Sequence, residues 1–323
     1  MLLSVVVPVH NEEPVLPKLF QELQETLDGL RLPYEVVFVD DGSTDDSWGV
    51  ITSFSIKGGG SIRGIRFTRN FGKEAAICAG LRASRGDAVV VMDADLQHPP
   101  RLIPEMVRAW RELGTPVVEA VKERRQEEDI KRRIGANLFY RLFERTSGID
   151  IRSATDFKLL DRKVVDAYLG LSERLRFFRG LTAWIGFPST RIPFVPPQRS
   201  GGDSQWSLKK LVGFAVNSII SFSSSPLRIV TYLGVLTLTG SFLLGMQTLM
   251  VKLKGSAVPG FTTVILVQLI LGSVLMIALG LIGEYLARVY EEVKARPLYV
   301  VEEWIGGDDG PETCRSMKGC DEL

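Results

Sequence analysis

Short apolar runs alternate with mixed polar segments along the first third of the chain. Each run has a length typical of a strand, and the segments between the runs carry apolar residues at helical spacing. This alternation predicts an α/β domain with a mostly parallel sheet that helices cover on both faces. The predicted strands are Val5–Val9, Tyr34–Val39, Ile62–Phe67 and Ala88–Met92, and the predicted helices are Glu13–Leu30, a short helix from Asp45, and Lys73–Ser84.

Two long apolar stretches follow in the last third. Ile229–Val251 and Gly255–Gly283 contain no Asp, Glu, Lys or Arg, and a helix of roughly 20 residues crosses a hydrocarbon core. Two buried core helices are the alternative, but such helices usually carry a polar stripe. The pattern therefore predicts two transmembrane helices at 229–287, joined as a hairpin. An amphipathic juxtamembrane segment at 208–228 precedes them and is predicted to lie along the membrane surface.

The charges that flank these stretches predict the orientation of the hairpin. Basic residues are more frequent outside the hairpin than in its connecting loop, and the amino terminus does not resemble a signal peptide. The large domain at 1–207, the tail at 288–323 and both termini are therefore predicted to be cytoplasmic. The basic residues are Lys209, Lys210 and Arg228 before the hairpin, Lys252 and Lys254 within it, and Arg288, Lys294 and Arg296 after it.

Composition and charge argue against a nucleic-acid partner and against a zinc site or a disulfide framework. The net charge of the 323 residues is +1, and basic residues are scattered among acidic ones, so nucleic acid is not an expected partner. Cys78, Cys314 and Cys320 are too few and too scattered for a zinc site or a disulfide framework. We assign these cysteines no role.

Polar clusters follow three of the predicted strands. They are His10–Glu12, Asp40–Ser43 and Asp93–Gln97, and the carboxyl ends of parallel strands meet at one edge of a sheet, where open α/β sheets bind ligands. Asp93 and Asp95 supply hard oxygen ligands that suit Mg²⁺ or Mn²⁺ carrying a diphosphate. A solvated turn is the alternative for a single Asp-x-Asp, but three polar clusters at one edge favour a nucleotide diphosphate site.

A basic region follows the last of these clusters. Lys122–Arg125 and Lys131–Arg133 precede apolar residues at helical spacing from Ile134 to Leu142. This pattern is compatible with a solvated amphipathic helix. It is also compatible with a surface that binds an anionic lipid headgroup.

The motifs, taken in order, resemble those of the family 2 inverting glycosyltransferases. Within that family the chain is most similar to membrane-anchored polyprenyl-phosphate glycosyltransferases, of the bactoprenol glucosyltransferase and dolichol-phosphate mannosyltransferase kind. The resemblance covers about 2–207, and the two predicted spans favour the bactoprenol branch. The matching segments are Val7–Glu12, Val39–Asp45, Arg69–Lys73, Met92–Pro100, Thr155–Leu160 and Arg199–Trp206.

The resemblance implies a Rossmann-like GT-A fold and a set of site residues. It implies catalytic roles for Asp156, Asp95 and Asp93, and metal contacts from Asp95, Gln97 and Asp93. The implied nucleotide-sugar site consists of Pro8, His10, Glu12, Val39, Asp41, Lys73, Asp93 and Ala94. The implied acceptor and phosphate site consists of Lys122, Arg124, Arg125, Arg132, Arg133, Arg199 and Ser204.

The implied reaction is inverting, metal-dependent transfer of a hexose from a nucleotide diphosphate sugar to polyprenyl (undecaprenyl) phosphate. Glucose and UDP-glucose are favoured, Mg²⁺ or Mn²⁺ is the cofactor, and the location is a bacterial inner or plasma membrane. Asp156 is expected to orient the sugar or the acceptor, or to accept a residual proton. The sequence leaves a homo-oligomer open.

Two positions depart from the usual pattern, and two other functions stay open. Gln205 replaces a residue that is commonly basic in relatives, which leaves room for weak activity or a different acceptor. Lys122 stands where relatives often have Arg, so it keeps the charge but loses bidentate geometry. The open functions are a dolichol-phosphate-mannose-type synthase that uses GDP-mannose, and a non-catalytic membrane scaffold that retains the fold.

Overall fold

The computed structural model describes residues 1–58, 62–122, 155–174, 176–195, 225–253 and 260–306. These residues fall into two units. The first unit contains the described residues up to 195 together with 296–306, and the second contains 225–253 and 260–295.

An eight-stranded sheet forms the centre of the first unit. Its order is β7-β5-β6-β4-β1-β2-β3-β8, and β6 and β8 run opposite to the other strands. The predicted α/β class and mostly parallel sheet are therefore confirmed. The strands are β1 Leu3–Val9, β2 Tyr34–Asp40, β3 Ile62–Phe67, β4 Ala88–Val91, β5 Val117–Lys122, β6 Lys158–Asp161, β7 Ser189–Phe194 and β8 Val301–Ile305.

Helices cover this sheet and bury their apolar positions against it. Helix α1 buries Leu16, Leu19, Leu23 and Leu27, which follow the helical spacing that the sequence predicted. Small residues let α3 approach the sheet closely, because a Cβ atom on Gly80 would lie 2.2 Å from the Val6 side chain. The helices are α1 Leu16–Gly29, α2 Ser47–Gly58, α3 Lys73–Ala83, α4 Ile103–Leu113, α5 Arg162–Leu169 and α6 Phe178–Trp184.

The register of the central strands sets the position of the polar clusters. Val9 pairs with Asp40 across β1 and β2, and Val6 pairs with Val91 across β1 and β4. The three strands therefore end close to one another, and the residues that follow each of them meet at one edge. This arrangement is the one that the sequence predicted.

Helix starts and the last strand differ from the sequence predictions. Helix α1 begins at Leu16 rather than Glu13, and α2 begins at Ser47 because the Asp45 carboxylate accepts the Ser47 N–H at 3.1 Å. Strand β8 lies in the range predicted as a tail. It pairs antiparallel with β3, so part of that range completes the sheet.

The second unit contains two helices that contact each other, α7 Ser225–Leu253 and α8 Phe261–Val293. Val267–Val293 is long and apolar enough to cross a membrane, with a mean hydropathy of 2.1 and no buried part in its most apolar stretch. Helix α7 has a shorter apolar stretch, Tyr232–Gln247. The described residues thus contain one candidate span by length and composition, and the hairpin of two spans stays a prediction.

Candidate active site

A pocket with a volume of about 290 Å³ opens at the carboxyl ends of β1, β2 and β4, next to the start of α3. Carboxylates, an imidazole, a primary amide and an ammonium group face it, so it suits a polar, charged ligand. Its lining consists of Pro8, Val9, His10, Glu12, Asp41, Asn70, Gly72, Lys73, Asp93, Ala94 and Asp95.

Asp41 holds the loop before α3. Its Oδ1 accepts the Phe71 N–H at 2.7 Å and its Oδ2 accepts the Gly72 N–H at 2.9 Å. Burial raises the pKa of Asp41, although these two backbone N–H groups oppose the rise. Gly42 lies against the same loop with φ of +63°, and a Cβ atom there would lie 2.3 Å from the Arg69 carbonyl carbon. Glycine is required at this position.

His10 connects the β1 and β2 ends of the pocket. Its Nδ1 lies 2.9 Å from the Asp41 carbonyl oxygen, and since a carbonyl can only accept, Nδ1 carries the proton. In the neutral ring Nε2 then accepts from the Asn70 amide at 3.1 Å. The imidazole is thus held in one orientation and one tautomer.

Two cationic side chains pair with two carboxylates on the opposite side of the pocket. Lys73 Nζ lies 2.6 Å from Asp93 Oδ1 and 2.5 Å from Asp156 Oδ2. Arg179 donates from Nε and Nη2 to the two oxygens of Asp156 at 2.7 and 2.8 Å. The pattern is an alternating chain of charges, and Lys73 bridges strand β4 to the segment that leads into β6.

These ion pairs set the protonation states of Asp156 and Lys73. Burial alone would raise the pKa of Asp156, but the Arg179 hydrogen bonds and the Lys73 charge outweigh it and hold that pKa well below its usual range. Burial likewise opposes the charge on Lys73, yet Asp93 and Asp156 raise its pKa. Both groups are therefore ionised at neutral pH, and Asp156 is a weak base.

Glu74 lies beside this chain of charges. One of its oxygens accepts the Phe178 N–H at 2.9 Å, next to Arg179 at the start of α6. Burial, with the Asp156 charge added, raises the pKa of Glu74 to about 7. The carboxyl group is thus partly protonated at neutral pH.

A buried ion pair between Lys158 and Glu119 lies next to the segment that carries Asp156. Lys158 is fully buried and donates to Glu119 at 2.7 Å and to Thr182 at 2.9 Å. Asp156 and Lys158 are two residues apart, and Arg179 and Thr182 lie one helical turn apart on α6. The segment around β6 therefore contacts α6 through two charged side chains, and these contacts fix Asp156 opposite Lys73.

Asp95 and Gln97 follow β4 at the mouth of the pocket. Asp95 Oδ1 accepts the Gln97 N–H at 3.0 Å, and Gln97 Oε1 accepts from Lys122 Nζ at 3.1 Å. Leu96 has a φ of +60°, which turns the chain between the two oxygen donors. His98 is buried, and its Nδ1 accepts the Asp93 N–H at 2.9 Å.

These residues fit a hard divalent cation in one respect. The side-chain oxygens of Asp93, Asp95 and Gln97 are the ligand type that Mg²⁺ and Mn²⁺ prefer. Among the described residues, however, no group of three or more His, Cys, Asp or Glu side chains could hold a metal ion. These three residues could therefore hold a divalent ion whose other coordination positions are filled by phosphate oxygens and water.

Most of the predicted nucleotide-sugar residues line the pocket, but Val39 does not. Its side chain is fully buried within β2, because it faces α3 rather than the strand end. Lys122 lies beside Gln97. Gln205 lies outside the described residues. So do the other predicted acceptor residues, which are Arg124, Arg125, Arg132, Arg133, Arg199 and Ser204.

Sequence reasoning missed three residues of this site. Asn70 lies in Arg69–Lys73, one of the segments that carry the family resemblance, so its polar side chain was an available signal. Arg179 and Glu74 had no comparable signal. Arg179 comes from a separate helix, and Glu74 resembles an ordinary acidic residue in the first turn of α3.

The sequence pattern of the family described as Glycosyl transferase family 2 matches residues 4–169. The chain belongs to glycosyl transferase family 2. It is 43% identical to the uncharacterized glycosyltransferase sll0501 of Synechocystis sp. (strain ATCC 27184 / PCC 6803 / Kazusa), over 94% of this chain and 96% of that protein. It is 36% identical to the SfII prophage-derived bactoprenol glucosyl transferase of Shigella flexneri, over 94% of this chain and 98% of that one. The predicted resemblance is therefore confirmed, and the enzyme is a glycosyltransferase.

A solved structure similar to this glycosyltransferase is glucosyl-3-phosphoglycerate synthase from Mycobacterium tuberculosis, in complex with Mn²⁺, UDP-glucose and phosphoglyceric acid. The TM-score is 0.46 at 20% identity, over 68% of this chain and 77% of that one.

Proposed function

We propose that this glycosyltransferase moves glucose from UDP-glucose to polyprenyl (undecaprenyl) phosphate, with inversion at the anomeric carbon. The observation that carries the proposal is the 36% identity to a bactoprenol glucosyl transferase along 94% of this chain and 98% of that protein. Similarity over nearly both full lengths includes the apolar helices as well as the sheet domain. It therefore favours a shared lipid acceptor over a soluble one.

The pocket supports a nucleotide diphosphate donor. Asp41, His10 and Asn70 form a rigid hydrogen-bonded wall on the β1–β2 side, suited to the uncharged nucleoside. Lys73 on the other side carries positive charge suited to the diphosphate. The donor would then lie across the strand ends, with its sugar directed toward Asp156.

A divalent cation, Mg²⁺ or Mn²⁺, would be held by Asp95, with Asp93 and Gln97 as further oxygen donors. When bound, it would offset the negative charge that develops on the leaving diphosphate. The rest of the chemistry belongs to the protein's own side chains.

The acceptor requires little base catalysis. The second pKa of a phosphate monoester is about 6, so the lipid phosphate is largely dianionic at neutral pH. One of its oxygens attacks the anomeric carbon as the bond to the diphosphate breaks, and no proton must leave the nucleophile. Asp156, with a pKa held well below its usual range by Arg179 and Lys73, orients the reacting groups in this proposal.

Membrane attachment is part of the proposal. Helix α8 contains the candidate span, and a polyprenyl phosphate presents its headgroup at the membrane surface. Placement of the sheet domain on the cytoplasmic side would bring the pocket to both a water-soluble donor and a lipid acceptor. A membrane-impermeant thiol label tests that orientation when single cysteines are introduced near each terminus of a Cys78→Ser, Cys314→Ser, Cys320→Ser variant.

The decisive test is a transfer assay with the full chain in membranes. Radiolabelled UDP-glucose, GDP-mannose and other nucleotide sugars are each offered with undecaprenyl phosphate, with and without EDTA. We expect EDTA-sensitive label in the lipid fraction with UDP-glucose. Transfer from GDP-mannose alone would replace the proposed donor, and no transfer from any donor would favour a non-catalytic scaffold.

A further inference from the structure

Two lysines contact the oxygens predicted to bind the metal ion. Lys73 Nζ lies 2.6 Å from Asp93 Oδ1, and Lys122 Nζ donates to Gln97 Oε1 at 3.1 Å. Asp93 and Gln97 flank Asp95, which lines the same pocket. An ammonium group therefore contacts each of the other two candidate ligands, Asp93 and Gln97.

We propose that Lys73, assisted by Lys122, competes with the divalent cation, so that the ion binds tightly only together with the nucleotide diphosphate. This inference rests on the proposed metal-dependent function and adds an order to its binding steps. Lys73 and Lys122 thereby prevent stable loading of the ion before the donor arrives.

Charge explains the competition. A divalent ion at Asp95 would repel these ammonium groups, and it would need the same Asp93 and Gln97 oxygens that the lysines contact. A diphosphate changes this balance in two ways. It supplies oxygen ligands to the ion, and it offers the lysines a new negative partner.

The position of Lys73 makes this exchange feasible. It contacts Asp156 as well as Asp93, so it can leave Asp93 while it keeps one carboxylate partner. Arg179 holds Asp156 in place through both oxygens. Asp156 therefore serves as a fixed anchor from which Lys73 turns toward Asp93 or toward the diphosphate.

The test measures Mn²⁺ binding to the purified full chain by electron paramagnetic resonance, with no sugar donor present. We expect weak Mn²⁺ binding to the wild type that tightens when UDP or GDP is added. Lys73→Met should bind Mn²⁺ alone about tenfold more tightly than the wild type, because one positive charge beside the site is gone. Addition of nucleotide should then tighten Mn²⁺ binding less than it does in the wild type.

Matched variants separate charge from structural damage. Lys73→Arg keeps the charge and should keep the weak binding of the wild type. Lys122→Met should strengthen binding by a smaller factor, since its partner Gln97 is uncharged. Lys18→Met is the surface control, because Lys18 is exposed on α1 and pairs with Glu22. If Lys73→Met fails to fold, Lys73→Gln tests the same loss of charge.

The outcomes distinguish this inference from the proposed function. If the lysine-to-neutral variants bind Mn²⁺ alone no more tightly than the wild type, or show no detectable binding, the inference is overturned even where glucose transfer is found. If Mn²⁺ binding tightens as expected while UDP-glucose is not a donor, the proposed donor is wrong and the inference stands.

Discussion

The carboxylates on the two sides of the pocket have different partners. On the β1–β2 side, Asp41 accepts two backbone N–H groups from the loop before α3. On the β4–β6 side, Asp93 and Asp156 pair with the side chains of Lys73 and Arg179. Backbone donors cannot move to a ligand without unfolding the loop, whereas an ammonium group can turn toward a phosphate. The first side is therefore rigid without a ligand, and the second side can rearrange around one.

This difference separates two kinds of substitution. Changes to Asp95 or Asp156 on the β4–β6 side should act mainly on turnover, because their neighbours are side chains that can rearrange around a ligand. Changes on the β1–β2 side should affect stability and donor affinity together, because the same contacts shape the loop and the pocket.

The largest effect is expected for Asp95→Ala. It removes the carboxylate that would hold the divalent ion and leaves the buried strand intact, so transfer should fall about 1,000-fold, or about 4 kcal/mol in transition-state stabilisation. Initial rates at saturating UDP-glucose measure this loss. Asp87→Ala is the control, since Asp87 is at the other end of β4 and contacts the chain terminus. Full activity of Asp95→Ala would refute the metal assignment.

A smaller loss, about 100-fold in kcat, is expected for Asp156→Asn, because the charge opposite Lys73 and Arg179 disappears while the shape is kept. The donor Kd should change little. Because the pKa of Asp156 lies well below its usual range, the wild-type rate between about pH 6 and 9 should show no titration of this group.

The control for this variant is Asp161→Asn. Asp161 ends β6 and caps α5 by accepting the Lys163 N–H, so it is a structural carboxylate from the same segment. We expect it to keep the wild-type kcat. Full turnover of Asp156→Asn at every pH would contradict both an orienting role and a base role for Asp156.

On the other side of the pocket, Asp41→Asn should raise the KM for the donor about tenfold and lower the free energy of unfolding by about 1–3 kcal/mol. An amide offers one acceptor where the loop presents two N–H donors. Donor titration and thermal unfolding in detergent measure the two effects. Asp28→Asn removes an exposed carboxylate that accepts from Tyr34 and serves as the control. A change in kcat alone would show that the two sides do not differ as described.

The last expected effect is a pH-dependent gain in stability for Glu74→Gln, which is smallest at the acid end of the pH range. The folded pKa of about 7 lies above the ordinary value of 4.5, so the folded state loses stability as pH rises between these values. The variant should therefore match the wild type near pH 5 and exceed it near pH 8, by at most about 3 kcal/mol. Melting temperatures across that pH range measure it, with the exposed Glu105→Gln as control. Parallel pH curves for wild type and variant would contradict the raised pKa of Glu74.

The strands next to the pocket were predictable because their signals are local. A strand buried on both faces must be continuously apolar, and polar residues must begin where burial ends, so β1, β2 and β4 and their three polar clusters could be read directly. Strands β5, β6, β7 and β8 were not predicted. Strand β6 contains the buried Lys158, and β8 has glutamates at two of its five positions, Glu302 and Glu303, and none of its residues is fully buried.

The sequence by itself determined the α/β class, the edge of the sheet that carries the candidate site, the family and the long apolar stretches. Each of these depends on residue type and spacing along the chain. Only the tertiary structure decided which charges become partners. Lys73, Asp93, Asp156 and Arg179 come from separate elements, and Lys73 meets Asp156 across 83 positions of sequence. Ion pairing acts through space, so its partners, and the low pKa that follows for Asp156, appear only once the sheet has brought those elements together.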